Sequence, residues 1–296
     1  MRLVLTNKRG TFEIGGGNHP TARLLEIEGL SPPEKDLETE ACEGGAGDYI
    51  KHMRDKSRTI TMSFDFYGVE DDVYKLYRIL AQPLEMRFFI GSIRRKISAI
   101  CINQTEIESI IYHRLQKIVL QFYCANPYFH SLAPKRYPVA KRTDLFPNVV
   151  LDDGKQGISL IVRNGIATVK ETTTIVKNEG DTVVYPTIEV VNNSVQNTTS
   201  GISCSVVVKN VTTGKSMTIS YNPAQGEKIT FDAADRKITS DVNGNITGKI
   251  TDDTFLSEMY LDFGDNEIEI TATAGNTEYE LASVCYVDNN YGAVMI

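Results

Sequence analysis

Glu267-Ile268-Glu269-Ile270-Thr271-Ala272 puts every second residue on one side of an extended chain: Ile268, Ile270 and Ala272 face one way, Glu267, Glu269 and Thr271 the other. A period of two belongs to a strand with one face buried and one in water. The same alternation runs through Ile202, Cys204, Val206 and Val208, through Met217, Ile219 and Tyr221, and through Ile229 and Phe231. Turn chemistry separates the segments: Thr213-Gly214, Asn222-Pro223, Asn243-Gly244 and Gly264-Asp265-Asn266. Their spacing is roughly the 8–12 residues of an antiparallel sandwich. The expectation is a jelly-roll-like β-sandwich from residue 150 to 296.

Upstream, the chain is β-rich with one helix. Val69, Val73, Leu76, Tyr77 and Leu80 share one helical face, with Glu70-Asp71-Asp72 in the first turn and Pro83 past the end. Arg87 to Ile90, a Gly91-Ser92 turn, Ile93 to Ile102 and Leu115 to Tyr123 read as a hairpin and a returning strand. Gly44-Gly45-Ala46-Gly47-Asp48-Tyr49 breaks the periodicity and reads as a flexible loop or the tip of an extended arm. Pro127, Pro134, Pro138 and Pro147, interleaved with Lys135-Arg136 and Lys141-Arg142, mark an inter-domain linker. The expected division is residues 1–135, with an arm near 40–56, a linker over 136–149, and residues 150–296.

The 296 residues are 41% apolar and 23% charged with a net charge of −7, and no run approaches a membrane span, so a folded protein without membrane insertion is expected. Residues 1–150 hold 21 basic and 18 acidic side chains; residues 151–296 hold 10 and 20. The halves are expected to differ electrostatically, +3 against −10. Met1 to Asn7 has no apolar export signal, so assembly in a cytoplasm is expected. The cysteines, at 42, 101, 124, 204 and 285, are odd in number and scattered, which fits small buried hydrophobes better than zinc ligands or disulfides.

Catalytic and cofactor signatures are sparse. Thr213-Gly214-Lys215-Ser216 resembles the end of a phosphate loop, but Lys209 stands where its first glycine belongs, and strand alternation flanks it. Asp262-Phe263-Gly264 has no kinase partner motifs and reads as a turn. Cys124 with His113 or His130 could form a nucleophile-base pair, though a structural histidine is the simpler reading. Asp71-Asp72, Asp152-Asp153 and Asp252-Asp253 read as helix-start or solvated carboxylates. No catalytic residue, metal or cofactor is expected. Arg94-Arg95-Lys96 could contact phosphate, with Arg94 and Lys96 on one strand face.

The order of features resembles the distal tail proteins of tailed bacteriophages, a siphovirus-type tail component family. Arg58-Thr59-Ile60-Thr61-Met62-Ser63-Phe64, the Gly68 turn and the helix look like the family's first core strand, preceded by a Gly-rich arm. Leu84 to Ala99 and Leu115 to Phe129, ending Asn126-Pro127-Tyr128-Phe129, are similar to its closing hairpin. Asn178-Glu179-Gly180-Asp181, Tyr185 to Val190, Thr213-Gly214-Lys215, Asp235 to Ile238 and Asp262 to Ile268 match its C-terminal domain. The resemblance spans residues 25–290. It implies a mainly β chain: a sandwich-like ring-forming domain with one helix and an arm that embraces the neighbouring subunit, then a galectin-like sandwich acting as an outward adaptor. It further implies a hexameric ring at the distal end of the tail tube, between the tube protein and a tail-tip hub or tail-associated protein, with receptor-binding proteins nearby. Tape-measure protein and DNA would pass through passively, and the site would be the virion tail, assembled in the bacterial cytoplasm; related baseplate components occur in contractile tails and phage-derived bacteriocins. Tyr49, Met53 and Arg54 are the expected subunit contacts, and Arg94 and Lys96 the expected channel-facing cations. The alternatives are a carbohydrate-binding module contacting host glycans, which the absence of tryptophan disfavours, and a cell-wall hydrolase.

Overall fold

The computed structural model describes residues 1–16, 21–42, 44–67, 70–104, 116–139, 141–145, 158–163, 166–171, 173–193, 204–251, 256–274, 277–278 and 281–294, with backbone only at 70, 141–145, 158–163, 166–171 and 277–278. Two compact units divide the chain: Met1–Leu132 with Asn290–Ile296, and Ala133–Asn289.

The first unit contains β1 (Arg2–Asn7), β2 (Gly10–Ile14), β3 (Ala22–Glu28), β4 (Lys35–Ala41), β5 (Asp48–Asp55), β6 (Arg58–Phe66), α1 (Glu70–Leu80), β7 (Leu84–Ile90), β8 (Ile93–Gln104), β9 (Gln116–Cys124) and β10 (Phe129–Ser131). Alternation explains the strands. On β6, Ile60, Met62, Phe64 and Phe66 are buried, and the facing β9 buries Ile118, Leu120, Phe122 and Cys124. Each such side chain contributes roughly 1.5–3 kcal/mol by leaving water. The hydrogen-bonded path runs β2-β1-β7-β8-β9-β6-β3. β8 serves three partners, pairing with β7 through Ile93 to Ala99, with β10 at Arg95 and Lys96, and with β9 from Ile100 to Gln104. Gly91, at φ +55°, opens the two-residue turn that joins β7 to β8. The helix buries Val73, Leu76, Ile79 and Leu80, and Asn7 donates its side-chain amide to the Ile79 carbonyl at 2.8 Å, tying the β1–β2 turn to the helix end. Val69 and Gly68 lie outside the described residues.

The second unit contains β11 (Lys135–Pro138), β12 (Lys141–Leu145), β13 (Ile158–Arg163), β14 (Ile166–Glu171), β15 (Thr173–Asn178), β16 (Thr187–Asn192), β17 (Ser205–Asn210), β18 (Lys215–Ser220), β19 (Lys228–Asp232), β20 (Lys237–Ser240), β21 (Gly244–Asn245), β22 (Gly264–Ala274), β23 (Thr277–Glu278) and β24 (Leu281–Val287). One sheet runs β11-β24-β16-β19-β20-β21, another β15-β22-β17-β18, and β12-β14-β13 forms a third. The first two share one core, in which Ile188, Phe231 and Cys285 meet Val206, Met217, Ile268 and Ile270. The quoted alternation is therefore a sandwich strand, as its pattern predicts. Gly264-Asp265-Asn266 differs from the expected turn: these residues begin β22, pairing with β15. Fully buried Asn266 keeps the turn chemistry, because its amide donates to the carbonyls of Asp262 and Gly264 while its oxygen accepts from the Asp262 N–H.

The units divide earlier than residue 150. β11, which runs from Lys135 into the expected linker, pairs with β24, and Pro138 is tolerated because β11 is a sheet edge. The final strand β25 (Asn290–Tyr291) returns to the first unit and pairs with β10, Phe129 opposite Tyr291. This changes the charge map. The first unit holds 17 basic and 17 acidic side chains and is neutral; the second holds 14 and 21 and carries the whole −7. The expected +3 is the balance of Lys135, Arg136, Lys141 and Arg142 against Asp144, which all belong to the second unit.

Candidate functional site

β4 and β5 pair only with each other, as a separate two-stranded sheet that no other described strand joins. Their tip is the glycine-rich stretch, with Gly44 and Gly47 at φ +81° and +98°. Leu37, Tyr49, Ile50 and Met53 are 51%, 66%, 61% and 57% exposed. A two-stranded hairpin is marginal in water by itself, and four large exposed apolar groups on it require a covering surface.

The register sorts its two faces, since residues paired across antiparallel strands point the same way. Leu37 pairs with Met53 and Thr39 with Ile50, whereas Asp36 pairs with Arg54, Glu38 with His52 and Glu40 with Tyr49. Lys51 is the extra residue of a bulge between Glu38 and Thr39. Without that bulge Ile50 would lie opposite Met53's face; with it, Leu37, Ile50 and Met53 share one side, between the Lys35–Asp55 pair at the base and Asp48 at the tip. The other side is charged: Arg54 holds Asp36 at 2.8 Å, and Lys51 holds Glu40 at 3.0 Å. The Arg54 guanidinium keeps the Asp36 carboxyl below the ordinary carboxylate range. Of the three expected contacts, Met53 lies on the side of Leu37 and Ile50, while Tyr49 and Arg54 lie on the charged one.

The base of the arm is fastened to the unit. Asp55 accepts from the Tyr128 hydroxyl and is paired with Lys35. Burial pushes its carboxyl up, but these two partners hold it below its usual value. Next to it, Arg58 is 6% exposed and satisfies three backbone carbonyls, Gly29 at 3.0 Å, Ser31 at 3.1 Å and Gly292 at 2.6 Å, with its guanidinium 4.4 Å from the Phe129 ring. A lone arginine heading an apolar strand carries no sequence signal for that role, because one of its partners lies 234 residues away.

Arg94 and Lys96 share a strand face, as expected, and both have neighbours. Arg94 donates to the Gly91 and Ile93 carbonyls and lies 5.3 Å from the Phe89 ring; Lys96 is 3.8 Å from Glu85. Arg95, on the other side of β8, stacks on Tyr291 at 3.5 Å.

Burial raises the Cys124 thiol to about 11, which removes its nucleophilicity at neutral pH. The Asn126 amide approaches His130 Nε2 at 3.3 Å. His19, His113, Asp152-Asp153 and Asp252-Asp253 lie outside the described residues. Thr213-Gly214 is the β17–β18 turn, and Lys215 pairs with Glu258 at 2.8 Å. Among the described residues, no three metal-ligating side chains gather.

Neither a family model nor a curated protein sequence matches the chain. Solved structures do. SPP1 Dit, described as a paradigm of the hub adsorption apparatus in Gram-positive infecting phages, aligns over 91% of this chain and 93% of its own, with TM-score 0.59 and 16% identity. The fold is that of a phage hub protein. Chains of the phage P2 baseplate in its activated conformation, with Ca and with Sr, align over 99% of this chain and 99–100% of their own, with TM-scores 0.52 and 0.50 and 8% identity. These alignments run nearly the full length of the chain.

Proposed function

We propose that this chain is a distal tail protein, a non-catalytic hub whose copies close into a hexameric ring at the distal end of a phage tail tube. The observation that carries the reading is the near end-to-end match of both units to a phage hub and to baseplate chains, joined to an arm whose Leu37, Ile50 and Met53 its own chain leaves bare. In the ring the first unit and its arm make the subunit contacts, and the second unit is the adaptor toward the tail tip, its hub or tail-associated protein and any receptor-binding protein. Arg94 and Lys96 face the channel; a first unit without net charge suits passive passage of tape-measure protein and DNA. The site of action is the virion tail, after assembly in the host cytoplasm.

Light scattering on the purified full-length protein tests this. The expected mass is about six times the 32.9 kDa of one chain. A concentration-independent monomer overturns the reading.

A further inference from the structure

The arm has two roots, and the segments that join the two units grip both of them. The chain enters the arm through Gly29, Leu30 and Ser31, ahead of β4, and leaves it through Asp55 and Arg58, where β5 gives way to β6. It runs on to the second unit after β10 and comes back through β25. On the outgoing segment, the Tyr128 hydroxyl donates to Asp55, and the Phe129 ring lies against the Arg58 guanidinium. On the returning one, Gly292 accepts from Arg58, and the Val294 N–H donates to the Leu30 carbonyl. Phe129 and Tyr291 pair with each other, so both segments belong to one short ladder. The guanidinium that holds Gly292 also holds Gly29 and Ser31, which closes a circuit from the returning segment to the entering root.

We propose that this ladder is a clamp through which the second unit sets how firmly the arm is held. The closed state is the one described. In the open state the returning segment has left, and the Arg58 guanidinium, 6% exposed, has lost an acceptor in a place where little water can replace it. A guanidinium short of acceptors turns toward solvent, and in turning it gives up Gly29 and Ser31 as well. A two-stranded hairpin that no other described strand joins then keeps its position mainly through the outgoing segment. The second unit is tethered to the first by these two segments, so a pull on it acts first on the groups that hold the roots. Burial of Val294 by itself would dock the tail; it does not require a buried arginine that spans the tail and the entering root. Coupling of this kind is reciprocal, so whatever fixes the arm also secures residues 290–294. The coupling is a property of one chain; its use, carrying engagement of the second unit to the subunit contacts, rests on the assembly reading above.

The test compares amide hydrogen exchange, read peptide by peptide by mass spectrometry well below the thermal transition, in the full-length protein, in Arg58→Lys and in a chain ending at Tyr291. Lysine keeps the charge but offers one compact ammonium in place of the guanidinium fork that spans the carbonyls. The shortened chain keeps β25 and loses Gly292 and Val294. In both variants exchange in β4 and β5 is expected to rise at least about tenfold, while β9 and β22 keep the full-length rates. Tyr128→Phe reads the coupling from the other end, since it removes only the hydroxyl that donates to Asp55. It is expected to speed exchange in β4 and β5 and also in residues 290–294, which a tail that only fills space would not show. Unchanged exchange in β4 and β5 of the shortened chain overturns the clamp. So does a rise of equal size throughout the first unit, which is a general loss of stability, and so does a Tyr128→Phe protein in which residues 290–294 exchange at the full-length rate. The shortened chain decides the question if Arg58→Lys does not fold. A monomer gives this readout as well as a ring does, so failure of the clamp and failure of the ring reading are distinguishable.

Discussion

Gly29 and Glu227 show how single residues hold this molecule together. Gly29 sits at φ +84°, and a β-carbon there would lie 2.2 Å from the Thr59 carbonyl oxygen, inside the β3–β6 contact. Gly29→Ala forces a left-handed conformation costing about 1–3 kcal/mol and pushes the two strands apart. The melting temperature of the first unit is expected to fall by at least about 4 °C in a calorimetric scan. In the second unit, Glu227 is 3% exposed, with its carboxylate held by the hydroxyls of Tyr221 and Ser240 and by the Ala224 N–H at 2.6 Å. Burial pushes this carboxyl up, but the three donors together hold it below its ordinary 4.5. A depressed value in the folded state means the stabilisation is fully present above about pH 4.5 and is lost as pH falls through the folded value. The melting temperature of the second unit should therefore be flat near neutrality and drop below about pH 4.5. Glu227→Gln should show a lower plateau and a shallower acid drop; an unchanged acid slope counts against the network.

At the scale of elements, the arm is the segment whose sequence and structure say most about assembly. Replacing residues 36–54 with a short Gly-Ser linker is expected to yield monomers whose melting temperature stays within about 2 °C of wild type, because the arm covers none of its own core. A truncated protein that still assembles would remove the arm from the account. The glycine stretch and the period-two runs were legible in the sequence because turns and half-buried strands write local patterns; so was the helix, through its apolar stripe and Pro83. What was not legible depends on distant partners. Nothing local shows that Lys51 forms a bulge, because the register of β4 against β5 decides it, so Tyr49 and Arg54 could not be separated from Met53. The fully buried asparagines Asn178, Asn210 and Asn266 carry no local sign of burial, yet they hold turns from inside the sandwich, Asn210 donating to the Tyr260 carbonyl 50 positions away. The prolines pointed to a linker, and only the pairing of β11 with β24 makes that stretch a sheet edge.

For the whole molecule, the chain leaves the first unit after β10 and returns through β25 beside it, so the last residues complete a domain that began at the N-terminus. Tyr291 stacks under Arg95, Gly292 accepts from Arg58, and the Val294 N–H donates to the Leu30 carbonyl at 3.0 Å with its side chain buried. Deleting residues 290–296 strips three of these partners at once and strands the buried Arg58 with one of its carbonyls gone, a loss of the kind that costs about 1–3 kcal/mol or more. The first unit's thermal transition is expected to drop while the second unit's stays in place; a uniform shift of both would show that the tail acts elsewhere. The net charge of −7 takes its meaning at this scale too, since the first unit is neutral and the second holds the whole of it. The central claim is that copies of this chain close into a ring through the first unit. Electron-microscope imaging of the purified full-length protein tests it most directly. Closed rings with a central channel and six-fold symmetry are expected; single particles of one chain, or open filaments without closure, overturn the ring.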